Sequence, residues 1–266
     1  MKKYWTVFKI SFQQEFAYPM NFIMWRIRNV IQIFLVFFLW DTVFSNSTTV
    51  LFGYDRSKIL TYVFGIIIVR SIVLSMRSVD VAGEISRGDL SNYLVKPINY
   101  LKYWFTRDIA SKALNVSFAS VEVIILFFIL KPPFFFQTNL IYLGMFLIAV
   151  VLAIILYFFL LFMFSMLTFV QPEQAWGAVF ILMILVDSLG GGLLPVDILP
   201  TNIQNILYLL PFPYLLFAPL EIYLAKFGFV KSIQMLGISA LWVLILALLT
   251  NYLWKKGVKH YRAEGR

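Results

Sequence analysis

The 266-residue sequence contains no cysteine and a single histidine, His260, in a basic C-terminal tail. Without cysteine there is no disulfide framework and no thiolate metal site, and the redox compartment stays undetermined. Most metal sites and proton relays lean on histidine, so that chemistry is nearly excluded. Charge is scarce as well. Only 13% of residues are Asp, Glu, Lys or Arg, against 61% hydrophobic ones, and Phe occurs 28 times. A soluble domain carries about 25% charged residues. A water-soluble fold of this length could not cover so much apolar surface, whereas lipid can act as its solvent. Motifs are missing too: no G-x-x-x-x-G-K-[ST], no G-x-S-x-G and no H-E-x-x-H occurs, which argues against nucleotide hydrolysis, a hydrolase elbow or a zinc protease within this chain. The run Gly190, Gly191 and Gly192 lacks the lysine of a phosphate loop and reads as a flexible or closely packed helix end. Residues 1–9 are basic, but no A-x-A-like site follows a short apolar core, so they do not read as a signal peptide.

What is present is a series of apolar stretches. Crossing a hydrocarbon core of about 30 Å takes roughly 20 mostly apolar residues. Six stretches qualify, near 24–44, 58–78, 108–130, 140–169, 175–194 and 231–254. The fold class expected is therefore all-α integral membrane, a single transmembrane domain over 1–266 with about six transmembrane helices. Residues 2–17 read differently. Trp5, Phe8, Phe12 and Phe16 are spaced 3, 4 and 4 and share one helical stripe, with Lys2, Lys9 and Gln13 on the other side. That pattern predicts an interfacial helix lying on the membrane, ended at Tyr18-Pro19.

The net charge is +9, with the basic residues flanking the hydrophobic stretches. This distribution fits the positive-inside rule and gives no reason to invoke nucleic acid. With the N-terminus placed inside and six spans alternating, sixteen Lys and Arg fall inside and five outside, Arg70 being left within a span. Both termini are thus expected in the cytoplasm. Residues 79–107 become a long cytoplasmic loop and 190–229 a long outer segment. The latter is apolar yet broken by Pro195, Pro200, Pro211, Pro213 and Pro219. It reads as short re-entrant helices, which survive at that depth only where protein or a wet cavity covers them.

Ionisable residues inside spans are functional candidates, here Arg70, Glu122 and Asp187. Arg70 lies roughly 10 Å from the cytoplasmic Arg77, and Glu122 roughly 21 Å past Asp108, at 1.5 Å per residue. A direct pair between Arg70 and Glu122 would need tilt or long reach. These charges are either structural, or water-facing at a subunit interface, or in contact with a transported molecule.

The segment 83–97 reads G-E-I-S-R-G-D-L-S-N-Y-L-V-K-P. Leu90 and Leu94 are four apart and share a helical face. Glu84 sits early and Lys96 late, as the helix dipole favours, and Pro97 stops the helix. A short amphipathic helix with apolar residues free to dock in a partner's groove is one reading; a solvated turn is the other.

At these residues the chain resembles the permease subunits of type-2 ATP-binding-cassette (ABC) exporters, in particular the roughly 260-residue permeases without a fused ATPase. The likeness rests on Glu84, Arg87-Gly88, Leu90, Tyr93-Leu94 and Lys96-Pro97 after the second span. It extends to Pro195, Leu199-Pro200, Leu210-Pro211-Phe212 and Pro219 before the last. Tyr93 departs from the family, where leucine is common. The resemblance implies a coupling role for Glu84, Arg87, Gly88, Leu90, Leu94, Lys96 and Pro97, and an exit gate around Pro195, Pro200, Pro211 and Pro219. It implies as partners a second permease, identical or a sister chain, and nucleotide-binding ATPase subunits that carry ATP and Mg. This chain would have no cofactor or catalytic residue of its own. The cargo implied is amphiphilic: a drug, peptide, antibiotic or lipid-linked glycan leaving a bacterial inner membrane. The competing readings are an importer permease, which the proline-rich outer segment disfavours, an intramembrane enzyme, which would need converging acids or a Ser/His set, and a secondary transporter, which would predict an internal repeat.

Overall fold

In an apolar solvent the backbone must satisfy its own polar groups, and a helix does so within one segment. A computed structural model of the protein describes residues 2–15, 19–45 and 50–261. Among these residues the chain is helical, with no strand beyond an isolated bridge between Leu51 and Tyr54. The helices are α1 (Lys2–Gln14), α2 (Pro19–Val43), α3 (Arg56–Val73), α4 (Asp80–Ser86), α5 (Ser91–Leu94) and α6 (Tyr100–Leu130). They continue with α7 (Leu140–Ser165), α8 (Ala175–Leu189), α9 (Thr201–Tyr208), α10 (Phe217–Tyr223) and α11 (Phe229–His260). Among the described residues four helical segments are long and apolar enough by themselves to cross a membrane: Tyr100–Leu130, Leu140–Phe169, Pro172–Leu189 and Phe229–His260. The other two stretches expected to span form α2 and α3, which carry Arg26, Arg28 and Asp41, and Arg56, Lys58 and Arg70.

The helix ends follow caps more than hydropathy. The third stretch was expected to begin near residue 108, yet α6 begins at Tyr100. There Asn99 accepts a hydrogen bond from the Lys102 amide, and Tyr100 and Trp104 are buried. Residues 100–107 are therefore helix rather than loop. At its other end α3 stops at Val73, five residues short of the expected boundary, for a reason that belongs to the site below.

Helix α7, apolar on every side, is the centre of the bundle. It packs against α11, α10, α8 and α3, with Leu156, Leu160, Leu161 and Phe162 essentially buried. Helix α1 packs along α6. Its predicted aromatic stripe is a ladder in which Trp5 stacks on Phe8 at 5.3 Å and Phe8 on Phe12 at 6.3 Å; Phe16 lies outside the described residues. Trp5 remains 59% exposed, so the helix offers an apolar edge beyond its contact with α6.

The glycine run explains how α8 ends. Gly190 and Gly191 sit where the chain leaves α8 and doubles back beside α3. The Tyr62 hydroxyl donates to the Gly191 carbonyl at 2.7 Å, and the Phe217 amide to the Gly190 carbonyl at 3.1 Å. Gly191 has φ +80, and a Cβ there would meet Phe217 Cβ at 2.8 Å and the Tyr62 hydroxyl at 2.9 Å. Close packing rather than flexibility is what the glycines supply. Gly191→Ala is expected to lower stability by about 1–3 kcal/mol, seen as a depressed thermal midpoint of the detergent-purified protein. Gly144→Ala, in α7 with nothing within 4 Å of the new methyl, should leave the midpoint unchanged or raise it slightly.

Candidate coupling and permeation sites

The last carbonyls of a helix have no partner within it. At the end of α3 one side chain supplies three bonds: the Lys112 ammonium, from α6, donates to the carbonyls of Ile72 (2.7 Å), Val73 (2.8 Å) and Ser75 (3.1 Å). A cation suits the negative end of the helix dipole. One turn earlier on α6, Asp108 accepts from the amides of Arg77 (2.7 Å) and Ser78 (2.9 Å) and from the Ser78 hydroxyl. Asp108 and Lys112 are 0% and 5% exposed. Together they hold the turn that converts α3 into α4. The Arg77 guanidinium then reaches the residue that follows α1, donating twice to Glu15 at 2.7 and 2.8 Å, the bidentate geometry that makes such pairs strong. Four helices, α1, α3, α4 and α6, meet at this joint. Sequence reading passed over Asp108 and Lys112 as flanking charges. Their signal was the spacing of four, which puts opposite charges on one face at the head of an apolar helix.

Beyond the joint lies the segment expected to couple. It is not one amphipathic helix but two short ones, α4 and α5, separated at Gly88, whose φ of +81 favours glycine. Leu90 and Leu94 both follow the break and lie one helical turn apart, the Leu94 amide donating to the Leu90 carbonyl at 3.2 Å, yet Leu90 is fully buried while Leu94 is 45% exposed. Glu84 is also buried. Its carboxylate accepts from the Tyr93 hydroxyl at 3.0 Å and the Tyr100 hydroxyl at 2.6 Å. Burial pushes the Glu84 acid above its ordinary pKa, and the two hydroxyl donors oppose that rise. Around it Tyr93 stands edge-on to Tyr100 (5.5 Å), and Tyr100 stacks on Trp254 of α11 (5.0 Å). Trp254 also meets Phe162 of α7 at 5.7 Å. The Ser86 hydroxyl donates to the Pro172 carbonyl at 2.6 Å, tying α4 to the link before α8. What remains at the surface is Arg87, which bonds Asp89 at 3.0 Å, and the tip Leu94, Val95, Lys96 and Pro97, with Val95 84% exposed. The Lys3 ammonium of α1 donates to the Pro97 carbonyl at 3.0 Å.

The charges inside the helices pair in another combination than Arg70 with Glu122. Arg70 bonds Asp187 of α8, with Gln32 of α2 at 3.5 Å from its other amino group. Glu122 pairs with Arg26 of α2 at 3.2 Å, and Arg26 also donates to the carbonyl (2.9 Å) and side-chain oxygen (2.7 Å) of Asn115. Each acid thus serves its own arginine, and no group of acids or histidines that could hold a metal occurs among the described residues.

In the proline-rich segment the prolines begin helical turns, where a missing amide costs nothing. Pro195 precedes a 3-10 turn, Pro200 precedes α9, Pro211 precedes the turn at Phe212–Tyr214, and Pro219 lies in the first turn of α10. Behind them is a second buried polar cluster. The Tyr54 hydroxyl bonds Glu221 and lies 3.0 Å from Asp197, which also pairs with Lys226. Glu221 is fully buried, and burial with Asp197 nearby pushes its acid up to about 8.

A family model described as ABC-2 family transporter protein matches residues 30–265. No curated protein matches the chain. The joint offers a direct test of its own. Lys112→Met is expected to cost about 3–5 kcal/mol, because it strips the α3 carbonyls and leaves Asp108 buried without its counter-charge. Lys112→Met combined with Asp108→Leu should cost less than the two single changes summed. Thermal unfolding of all three variants reads both effects.

Proposed function

This chain belongs to the ABC-2 family of transporter membrane proteins, and from that premise we propose that it is the permease subunit of an ATP-driven exporter. It is a membrane component of an ABC transporter and not itself the catalyst. Two such permeases, identical or sister chains, pair across the membrane, and each binds a nucleotide-binding ATPase subunit that carries ATP and Mg. Both termini and the α4–α5 segment face the cytoplasm of the cell, and the proline-rich segment 190–229 faces outward as the exit gate around Pro195, Pro200, Pro211 and Pro219. Amphiphilic cargo leaves between the permeases.

The observation that carries this reading is the exposed tip Leu94–Val95–Lys96–Pro97 mounted on a buried base. Apolar side chains left in water at the end of a supported turn fit a groove in a soluble partner. Glu84, with its carboxylate inward on Tyr93 and Tyr100, supports the tip rather than touching the ATPase. Arg87, Leu94, Val95 and Lys96 make the contact, Gly88 permits the break that presents them, and Leu90 anchors the turn. The order Arg87 to Pro97 lies directly beyond the joint at Asp108 and Lys112, so a push on the tip reaches α3 and α6.

Val95→Asp changes only a surface side chain. It is expected to lower recovery of the co-expressed ATPase subunit in a mild-detergent pull-down about tenfold, while the variant's own abundance and thermal midpoint stay at wild-type values. Undiminished ATPase recovery would remove the tip from the interface.

A further inference from the structure

Between α2 and α6, beside the end of α1, the structure opens a cavity of about 540 Å³. Its walls are apolar, among them Ile27, Phe34, Leu114 and Phe118, and one side carries the Arg26–Glu122 pair. The cavity is open on the face where Ile23, Ile27 and Ile31 of α2 and Phe118 and Val121 of α6 are exposed. Its size and its mostly apolar wall with a few convergent polar groups match those of a small-molecule site. Ionisable groups within membrane helices commonly mark such a path.

The charges define the occupant. Arg26 is balanced by Glu122 and Glu15 by Arg77, so the site carries no net charge while still presenting both a cationic and an anionic edge. A head bearing net charge would have to leave water for a site with nothing to neutralise it. A zwitterionic head finds a complement for each end, and its hydrocarbon tail fills the wall. We propose that this cavity binds a zwitterionic amphiphile drawn sideways from the bilayer, and that it is the loading site for cargo. The binding site stands on the geometry; its role in loading rests on the exporter reading.

The test uses a palmitoyl lysophosphocholine carrying a diazirine in its tail, photolysed with the permease–ATPase complex in phosphatidylcholine vesicles. Adducts are expected to concentrate on residues 23–34 and 114–122, and to fall about fivefold in Ile27→Trp, whose indole occupies the cavity mouth. Adducts spread evenly over the exposed faces of α2, α6 and α11, or indifferent to Ile27→Trp, would overturn the site. So would cross-links joining a second copy of the chain through these residues, because they would mean that protein fills the space. Stronger labelling by the carboxylate or trimethylammonium analogue of the same tail would overturn the zwitterionic assignment. ATP is expected to reduce the labelling severalfold. Labelling that ATP leaves unchanged while the complex hydrolyses ATP normally would overturn the loading role and leave the exporter reading standing. If no ATPase accompanies the chain but the adducts still map to the cavity, the exporter reading fails and the lipid site survives.

Discussion

A helix that ends among apolar neighbours strands its last carbonyls, and everything at the α4–α5 end of this protein depends on how α3 escapes that cost. The solution is two buried side chains of α6, one of each sign. Lys112 takes the carbonyls of Ile72, Val73 and Ser75, and Asp108 takes the amides of Arg77 and Ser78. Because both come from one helix face, the direction of α4 relative to α3 is set by the position of α6. Arg77, held by its own backbone on Asp108, reaches Glu15, the residue that follows α1. The turn carrying the exposed tip is then fastened a second time, by Glu84 between Tyr93 and Tyr100 and by the ring stack onto Trp254. The ion pairs among the other helices follow the same logic, two of them largely buried and the Arg70–Asp187 pair half-exposed at its carboxylate. Arg26 with Glu122, Arg70 with Asp187, and Lys226 with Asp197 each join elements far apart in sequence, where an unpaired charge would be too costly to keep.

How much of this was legible depended on whether the deciding interaction was local. The apolar stretches were visible because hydropathy is a property of the segment: each expected stretch overlaps a helix, and four of the helical segments among the described residues are long and apolar enough to cross a membrane. Their ends were not, since a cap decides them: Asn99 and the burial of Trp104 start α6 eight residues early, and Lys112 stops α3 at Val73. The two readings of the glycine run differed only in what lay opposite, and Phe217 and Tyr62 settle it in favour of close packing. In the segment 83–97 the expected single amphipathic helix is two short ones, α4 and α5, on either side of Gly88. Spacing of four does put Leu90 and Leu94 one turn apart, with the Leu94 amide on the Leu90 carbonyl, but it does not show that Leu90 packs to full burial while Leu94 stays 45% exposed. Nothing in the spacing indicates that two tyrosine hydroxyls turn Glu84 inward. The partners of Arg70 and Glu122 were likewise beyond one-dimensional reasoning, which can measure depth along a helix but not which helix comes alongside.

The transporter assignment gives these features a common sense. A permease has to convert a displacement at a soluble surface into a change among helices in lipid, and a flexible link would absorb it. Here the path from Val95 to α3 runs through buried, doubly bonded groups, while the segment at the other end of the bundle is built of short proline-started turns over the Tyr54, Asp197, Glu221 and Lys226 cluster. One end is stiff and the other segmented, and the mostly apolar cavity between α2 and α6 lies along the flank of the stiff end.

The claim on which this account turns is that the tip and the joint move as one body. The absence of cysteine allows a single pair of nitroxide labels, at Val95→Cys and Ile109→Cys, in the complex with its ATPase. Pulsed electron resonance should give one narrow distance that ATP leaves unchanged. A broad distribution, or a shift of several ångströms on adding ATP, would mean that the tip swings free of α6 and that the buried joint does not transmit its movement.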